Sequence, residues 1–283
     1  MPAPQAWHHR DHDFPDSLRE VRPAVVALFT LGDRSVLDAP RVAIVGTREM
    51  TGYGERITRR LATSLARAGV CIVSGMARGV DATAHRAALE VGGRTAAVLG
   101  TGVDVPYPAG HRHLHADIVA SGLVISEEAS GTRARPGCFP RRNRIIAGLA
   151  SLTVVVEAGF KSGAHSTVGH ALAGTGQVAA VPGPIDSPQS QGCNLLIQQG
   201  AQIVTCVNDV FALLGLPPER EERPALPANE QKLWDLLSEQ GASTADVLGA
   251  RSGLPIREML TALTSLELDG LVEMDPGGVY RTR

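Results

Sequence analysis

Short apolar runs alternate with segments of helical period along most of this chain. Residues 42–45 are an apolar, β-branched run closed by Gly46. Residues 57–68 repeat their apolar positions at helical spacing and stop at Gly69. Residues 70–73 predict a second strand, ending in Ser74-Gly75. Residues 80–90 predict a helix with Ala84, Ala87 and Ala88 as small packing residues. Residues 95–99 predict a third strand that runs into Gly100-Thr101-Gly102, and 111–120 a helix after a Pro/Gly segment at 105–110. Residues 123–125, 152–156 and 178–181 predict three further strands. Short apolar strands alternating with longer helices read as βαβ units, so the pattern predicts an α/β fold: a parallel sheet with helices on both faces.

The flanks have a different texture. Residues 1–40 predict a lead-in: His8, His9 and His12 read as a solvated terminus rather than a metal site, and 18–31 carries enough apolar residues to pack on the domain that begins at residue 41. Residues 41–216 predict the main domain and 217–228 a linker, rich in proline and acids and without apolar period. Over 229–283 the pattern changes to three helices (230–238, one capped by Ser243, and 254–268) and a hairpin. Its arms, 272–274 and 279–281, flank Pro276-Gly277-Gly278. Three helices and a hairpin predict a small C-terminal winged-helix domain.

Composition narrows the classes. No run of about 18 apolar residues is present to span a bilayer, and the first residues lack the apolar core of a signal peptide, so the expectation is a cytoplasmic protein with no membrane partner. The net charge of −2 gives no global attraction to nucleic acid, so such a role needs a local patch. Cys71, Cys138, Cys193 and Cys206 form no C-x-x-C pair, and Cys71 and Cys206 fall in apolar runs as candidate core residues. Only two of the 27 basic residues are lysines, and one of them, Lys161, stands in a glycine-rich loop between Phe160 and Ser162.

Candidate chemistry gathers at the carboxyl ends of the predicted strands, where open α/β sheets bind ligands. These ends are glycine-rich and polar: Gly46-Thr47-Arg48, Ser74-Gly75, Gly100-Thr101-Gly102, Ser126-Glu127, Glu157-Ala158-Gly159 and Pro182-Gly183. Between residues 133 and 144 lie Arg133, Arg135, Arg141, Arg142 and Arg144, interleaved with Phe139, Pro140 and Asn143. Cations beside a flat ring suit a phosphate backbone and its bases, and they equally suit a solvated, arginine-rich helix start. Glu127 and Glu128 are placed to orient these arginines by ion pairing. His111 and His115 share a face without a carboxylate to complete a metal set, which predicts a solvated helix. Asp81 and His85 predict a structural hydrogen bond near Gly79 more than an acid–base couple. Neither a dinucleotide fingerprint, a P-loop nor a G-x-S-x-G elbow is present. Without a nucleophile–base pair or a metal cage, the rim reads as binding a polyanion, with no cofactor, rather than catalysing on one.

At these residues the chain resembles the bacterial DNA-processing protein A (DprA/Smf) family. The resemblance runs from about Phe14 to Leu216 through VAIVGTRE (42–49), VSGMARGVDATAH (73–85), AVLGTGVDVPYP (97–108), FPRRNRIIAGL (139–149), VVEAGFKSGA (155–164) and QGCNLLIQQGA (191–201). It implies a Rossmann-like domain that binds single-stranded DNA and forms a homodimer. It also implies that the protein protects incoming strands in natural transformation and helps load a RecA-type recombinase. Carried onto this sequence, the DNA pocket falls on Thr47, Arg48, Phe139, Arg142, Asn143 and Lys161, with Ser162 and Gly163 completing the lysine loop. Family members often carry a helical domain ahead of this part, and here Ala164-His165-Ser166-Thr167 departs from the family's apolar continuation. Two alternatives stand beside this reading. One is a nucleotide phosphoribohydrolase-like enzyme of the same superfamily, for which Glu157 is the nominated acid or base. The other is a winged-helix regulator of duplex DNA. Residues 229–283 hold nine acids against five bases, and the third helix has one arginine, so an accessory or protein-contact role is expected there.

Overall fold

The computed structural model describes residues 3–174, 176–219, 226–275 and 277–282. The chain divides into two compact units, Met1–Glu219 and Arg220–Arg283.

The first unit carries the strands β1 (Gln5–His8), β2 (Ala27–Gly32), β3 (Arg41–Val45), β4 (Cys71–Ser74), β5 (Thr95–Leu99), β6 (Leu123–Ser126), β7 (Leu152–Val155), β8 (Gln177–Ala180) and β9 (Gln202–Ile203). Its helices are α1 (Asp16–Arg19), α2 (Gly52–Arg67), α3 (Val80–Glu90), α4 (Arg112–Ser121), α5 (Cys138–Leu149), α6 (Ala164–Ala173), α7 (Gln191–Gln198) and α8 (Val207–Leu213). The strands form one sheet in the order β1-β2-β6-β5-β4-β3-β7-β8-β9. From β6 to β9 every pairing is parallel.

Period-2 alternation sends successive side chains to opposite layers. Val42 and Ile44 pack toward α2, α3 and α8, while Ala43 and Val45 pack toward α5 and α6. Both faces are apolar because both are covered, the condition that parallel strands require. Strand order reverses between β3 and β7, neighbours at the centre of the sheet from which the chain proceeds in opposite directions. That reversal opens a crevice between the loops after the two strands.

The lead-in expected over residues 1–40 is instead woven into this sheet. β1 and β2 pair antiparallel with each other, and β2 pairs antiparallel with β6. His8 therefore sits on a strand rather than in a solvated tail. Trp7 is 2% exposed, meets Phe14 edge-on at 5.4 Å, donates from Nε1 to Asp13 at 3.0 Å and lies under the Arg34 guanidinium. Helix α2 starts at Gly52 rather than at residue 57, because Thr51 caps it by accepting from the Gly54 amide at 3.2 Å. Cys71 is buried as expected, but Cys206 is exposed at the start of α8, where Asp209 accepts from its backbone N–H.

The second unit contains α9 (Ala228–Gln240), β10 (Ser243–Thr244), α10 (Ala245–Ser252), α11 (Ile256–Leu268), β11 (Val272–Met274) and β12 (Val279–Thr282). Its three strands pair in the order β10-β12-β11. Leu233, Leu237, Leu248, Met259, Leu263, Leu266 and Val272 fill a core of its own. This is a winged helix. Ser243 lies in β10 and does not cap a helix; Thr244 precedes α10. Residues 220–225 of the expected linker and Pro276 of the hairpin turn lie outside the described residues.

If the N-terminal strands belong to the fold, Trp7→Ala removes a core aromatic. A loss of about 3–5 kcal/mol is expected in urea denaturation; a solvated lead-in would leave the midpoint unchanged.

Candidate nucleic-acid interface

The β3–β7 crevice holds a cleft of about 410 Å³. The turn after β3 supplies Gly46, Thr47, Arg48 and Glu49. The first half of α5 supplies Phe139, Pro140, Arg142 and Asn143, and the loop into α6 supplies Ser162, Gly163 and Ala164. Seven of the eight residues expected from the resemblance line this one cleft: Thr47, Arg48, Phe139, Arg142, Asn143, Ser162 and Gly163. Lys161 is exposed on the loop beside it and does not line the cleft.

Two helices start at the cleft. Neither α5 nor α6 has an acid in its first turn. Their partial positive charge therefore meets no first-turn carboxylate there, a setting that favours bound anions. Phe139 is half-buried and packs against Tyr107, ring centroids 5.0 Å apart at 32°, and the Arg48 guanidinium lies 6.0 Å from the Phe139 centroid. Tyr107, 43% exposed, adds a second ring beside it. Sequence reasoning missed it; its signal was an aromatic set in the Pro/Gly segment of a rim loop.

The arginine cluster divides in a way its spacing does not reveal. Arg144 is buried, donating to Glu127 at 2.6 Å and to the Pro23 carbonyl at 3.0 Å. Arg141 pairs with the same Glu127 at 3.3 Å and Arg135 with Glu128 at 3.1 Å. The acids do orient the arginines, and in doing so neutralise much of the patch. Arg48, Arg133 and Lys161 are exposed and carry no ion pair among the described residues.

Arg142 is a correction to the picture of a solvent-facing cluster. It is 6% exposed, and its guanidinium donates to the carbonyls of Gly75, at 2.6 Å, and Val98. A side chain at Gly75 would overlap that guanidinium, so the glycine is required by close approach. Asp81 lies 3.9 Å away and accepts from the backbone N–H groups of Gly75 and Ala77 at 3.2 and 3.4 Å. Burial pushes the Arg142 guanidinium down to about 10 against the pull of Asp81, and burial raises the Asp81 carboxyl against the pull of Arg142. Between Gly75 and Ala77, the buried Met76 adopts φ 56°, and His111 Nδ1 meets its carbonyl at 3.0 Å. A second histidine of that segment, His115, is buried with Nε2 2.7 Å from the Val103 carbonyl. The solvated histidine face expected there is thus a set of loop anchors.

Asp81 and His85 do not bond each other: Asp81 holds the 75–77 loop, the structural role expected of the pair, while His85 holds a strand. His85 Nδ1 lies 2.7 Å from Thr95 Oγ1, whose proton goes to the Ile72 carbonyl, so Nδ1 donates and Nε2 is left buried without a partner. Burial pushes this imidazole down to about 3. Glu157 is also sealed: the Thr51 N–H and hydroxyl donate to its two oxygens at 2.8 and 2.5 Å, and at Gly54 a side chain would overlap its carboxylate. The residue nominated as an enzyme's acid or base pins the β3–α2 turn. Among the described residues no group of histidines, cysteines and carboxylates could hold a metal ion, and no helix is long and apolar enough to cross a membrane.

A Rossmann-like α/β protein, with a polar, ring-lined cleft at its strand-order reversal and a winged helix after it, is the class this architecture defines. Residues 5–215 match the family described as DNA recombination-mediator protein A, and residues 217–278 match the DprA winged helix domain. The chain belongs to the DNA recombination-mediator protein A (DprA/Smf) family. It is 43% identical over 248 residues to a putative DNA processing protein DprA of Mycobacterium tuberculosis, covering 84% of this chain and 64% of that protein. It is 39% identical over 268 residues to protein Smf of Escherichia coli, covering 91% and 72%. The structure of DprA from Streptococcus pneumoniae superposes with a TM-score of 0.71 at 40% identity, covering 74% of this chain and 73% of that one. A Helicobacter pylori DNA processing protein A, described for its unique single-stranded DNA binding mode, superposes with 0.68 at 28% identity, covering 75% and 95%.

The buried groups lend themselves to two tests. Removing Arg142 strands Asp81 and two carbonyls, so Arg142→Ala is expected to lose about 3–5 kcal/mol of stability by denaturant titration. His85 stays neutral in the folded state down to about pH 3, while the unfolded chain protonates it near 6.5. The unfolded state therefore binds more protons in that window, and stability falls as pH drops through it, by up to about 1.4 kcal/mol per pH unit. Asp81, raised by burial, contributes with opposite sign, so the measurement is the difference between wild type and His85→Gln. The wild type is expected to carry the additional acid slope; parallel curves for the two proteins count against the buried neutral imidazole.

Proposed function

We propose that this protein binds single-stranded DNA in the β3–β7 cleft and does not cleave it. The observation that carries the reading is the convergence there of Arg48, of Phe139 with Tyr107 packed against it, and of two helix N-termini free of acids. Rings stack on any base and cations follow any phosphate, so the expected binding has little sequence preference. Thr47, Asn143, Ser162 and Gly163 offer short polar groups and backbone between the charges. Lys161 extends the cationic track beyond the cleft. Arg142, spent on internal carbonyls, lends charge to the floor and holds the walls. The relationship to a protein described for its single-stranded DNA binding mode supports the same reading.

As in the family resemblance, the proposed setting is the cytoplasm, in natural transformation and homologous recombination. There the protein, as a homodimer, shields incoming strands and helps a RecA-type recombinase load onto them. Because this chain spans 64% of the length of its M. tuberculosis relative, these partners are part of the proposal.

A gel-shift salt series on single- and double-stranded oligonucleotides tests it. Arg48→Ala and Lys161→Ala are each expected to weaken binding to all sequences and to flatten the salt slope of log affinity by about 0.7. Phe139→Ala is expected to cost about 1–3 kcal/mol with the slope retained. Unchanged affinity in all three variants removes the cleft from the reading, and release of free base from mononucleotides replaces it with the enzyme.

A further inference from the structure

Helix α2 carries four arginines and a single acid, Glu55. Arg59 is paired with Glu90 of α3. Arg56, Arg60 and Arg67 are exposed, and none of them carries an ion pair among the described residues. At about 100° per residue these three fall within about 40° of one another, opposite the buried Thr58 and Leu65. They make a ridge of guanidinium groups about 17 Å long on the solvent face of the helix, at about 1.5 Å per residue.

Solvation is the ordinary fate of an arginine on a helix face, and Arg67, in the last turn, complements the helix dipole. Arg56 and Arg60 gain nothing of that kind. They stand one turn apart, away from either end, where like charges at i and i+4 repel. Two observations aim the ridge at the cleft. Helix α2 starts three residues after Glu49, which lines the cleft, so Arg56 is only about 6 Å along the axis from that start. The Arg56 guanidinium also lies 5.8 Å from the Tyr53 ring, whose hydroxyl donates to the Pro182 carbonyl at 3.0 Å, beyond the end of β8. The upper end of the ridge is thereby anchored at the strand-end edge where the cleft opens. The cleft spends most of its arginines on internal partners, so a polyanion that overruns it meets its next unpaired cations on α2.

We propose that α2 is a second contact for the single strand held in the cleft. The strand leaves past Arg48 and runs down the helix, its phosphates on Arg56, Arg60 and Arg67. At a stacked rise of about 3.4 Å per nucleotide the ridge matches about five nucleotides. The helix has no aromatic residue beyond Tyr53, so this stretch grips the backbone without stacking on the bases. The inference rests on the single-stranded DNA reading of the cleft and extends its footprint.

Salt-series binding of the whole chain to two single strands tests it, one of about 6 nucleotides that fills only the cleft and one of about 30. Arg56→Gln, Arg60→Gln and Arg67→Gln combined are expected to weaken binding of the longer strand about tenfold or more and to flatten its salt slope by about 2. The short strand is expected to bind as to wild type, circular dichroism to stay unchanged, and lysine at all three positions to restore most of the loss. Equal weakening on both lengths reports only the long-range field of the charges and overturns the path, as does a loss confined to duplex. An unchanged triple variant beside a weakened Arg48→Ala removes the ridge and leaves the cleft standing. Unchanged affinity in Arg48→Ala, Phe139→Ala and Lys161→Ala removes the cleft, and the path that leads out of it falls as well.

Discussion

The buried guanidinium of Arg142 is the tie on which the cleft depends. It joins helix α5 to the loops and strands that face it, through the carbonyls of Gly75 and Val98, with Asp81 beside it. An ion pair taken out of water gains little unless its remaining donors and acceptors are satisfied. Here carbonyls accept hydrogen bonds from the guanidinium, and backbone N–H groups of the 75–77 loop donate to the carboxylate. The outcome is geometric: the first turn of α5, with Phe139 at its tip, is fixed over the crevice.

The same economy recurs around the rim. Glu157 spends both oxygens on Thr51, which fixes the turn carrying Thr47 and Arg48. Glu127 commits its charge to Arg141 and Arg144. Acids at the strand ends hold loops and arginines in place, and the cations left to solvent are few. A cleft built this way presents charge sparingly and flat surface generously, which favours a ligand that alternates phosphates with bases. The chain's slightly negative total is compatible with that, because the field a ligand meets at the cleft is local.

The two units illustrate opposite uses of apolar surface. In the first, the residues of the central parallel strands are covered by helices on both faces, so little of their apolar surface is left over. In the second, a single helix faces a small core on one side and keeps an apolar stripe on the other. Small winged helices need only one buried helix face, and a second one is surplus to folding.

Much of this protein was legible in its residues. Short apolar runs and the 3.6-residue period located the six parallel strands of the expected sheet and its principal helices, because burial on both faces leaves no freedom in which strand residues are apolar. Glycines after most of the strands marked the edge where the cleft lies, since a packed loop needs bare backbone there. The family motifs nominated cleft residues that lie together in space. What the residues could not disclose was order across the sheet and burial of charge. Only the tertiary structure put the reversal between β3 and β7, laid the first two strands antiparallel along the edge, and sank Arg142 and Arg144 while leaving Arg48 in solvent. An arginine reads the same in a string whether its partner is water, a carbonyl or a carboxylate, and that choice is made by residues distant in sequence that the fold brings within about 3 to 4 Å.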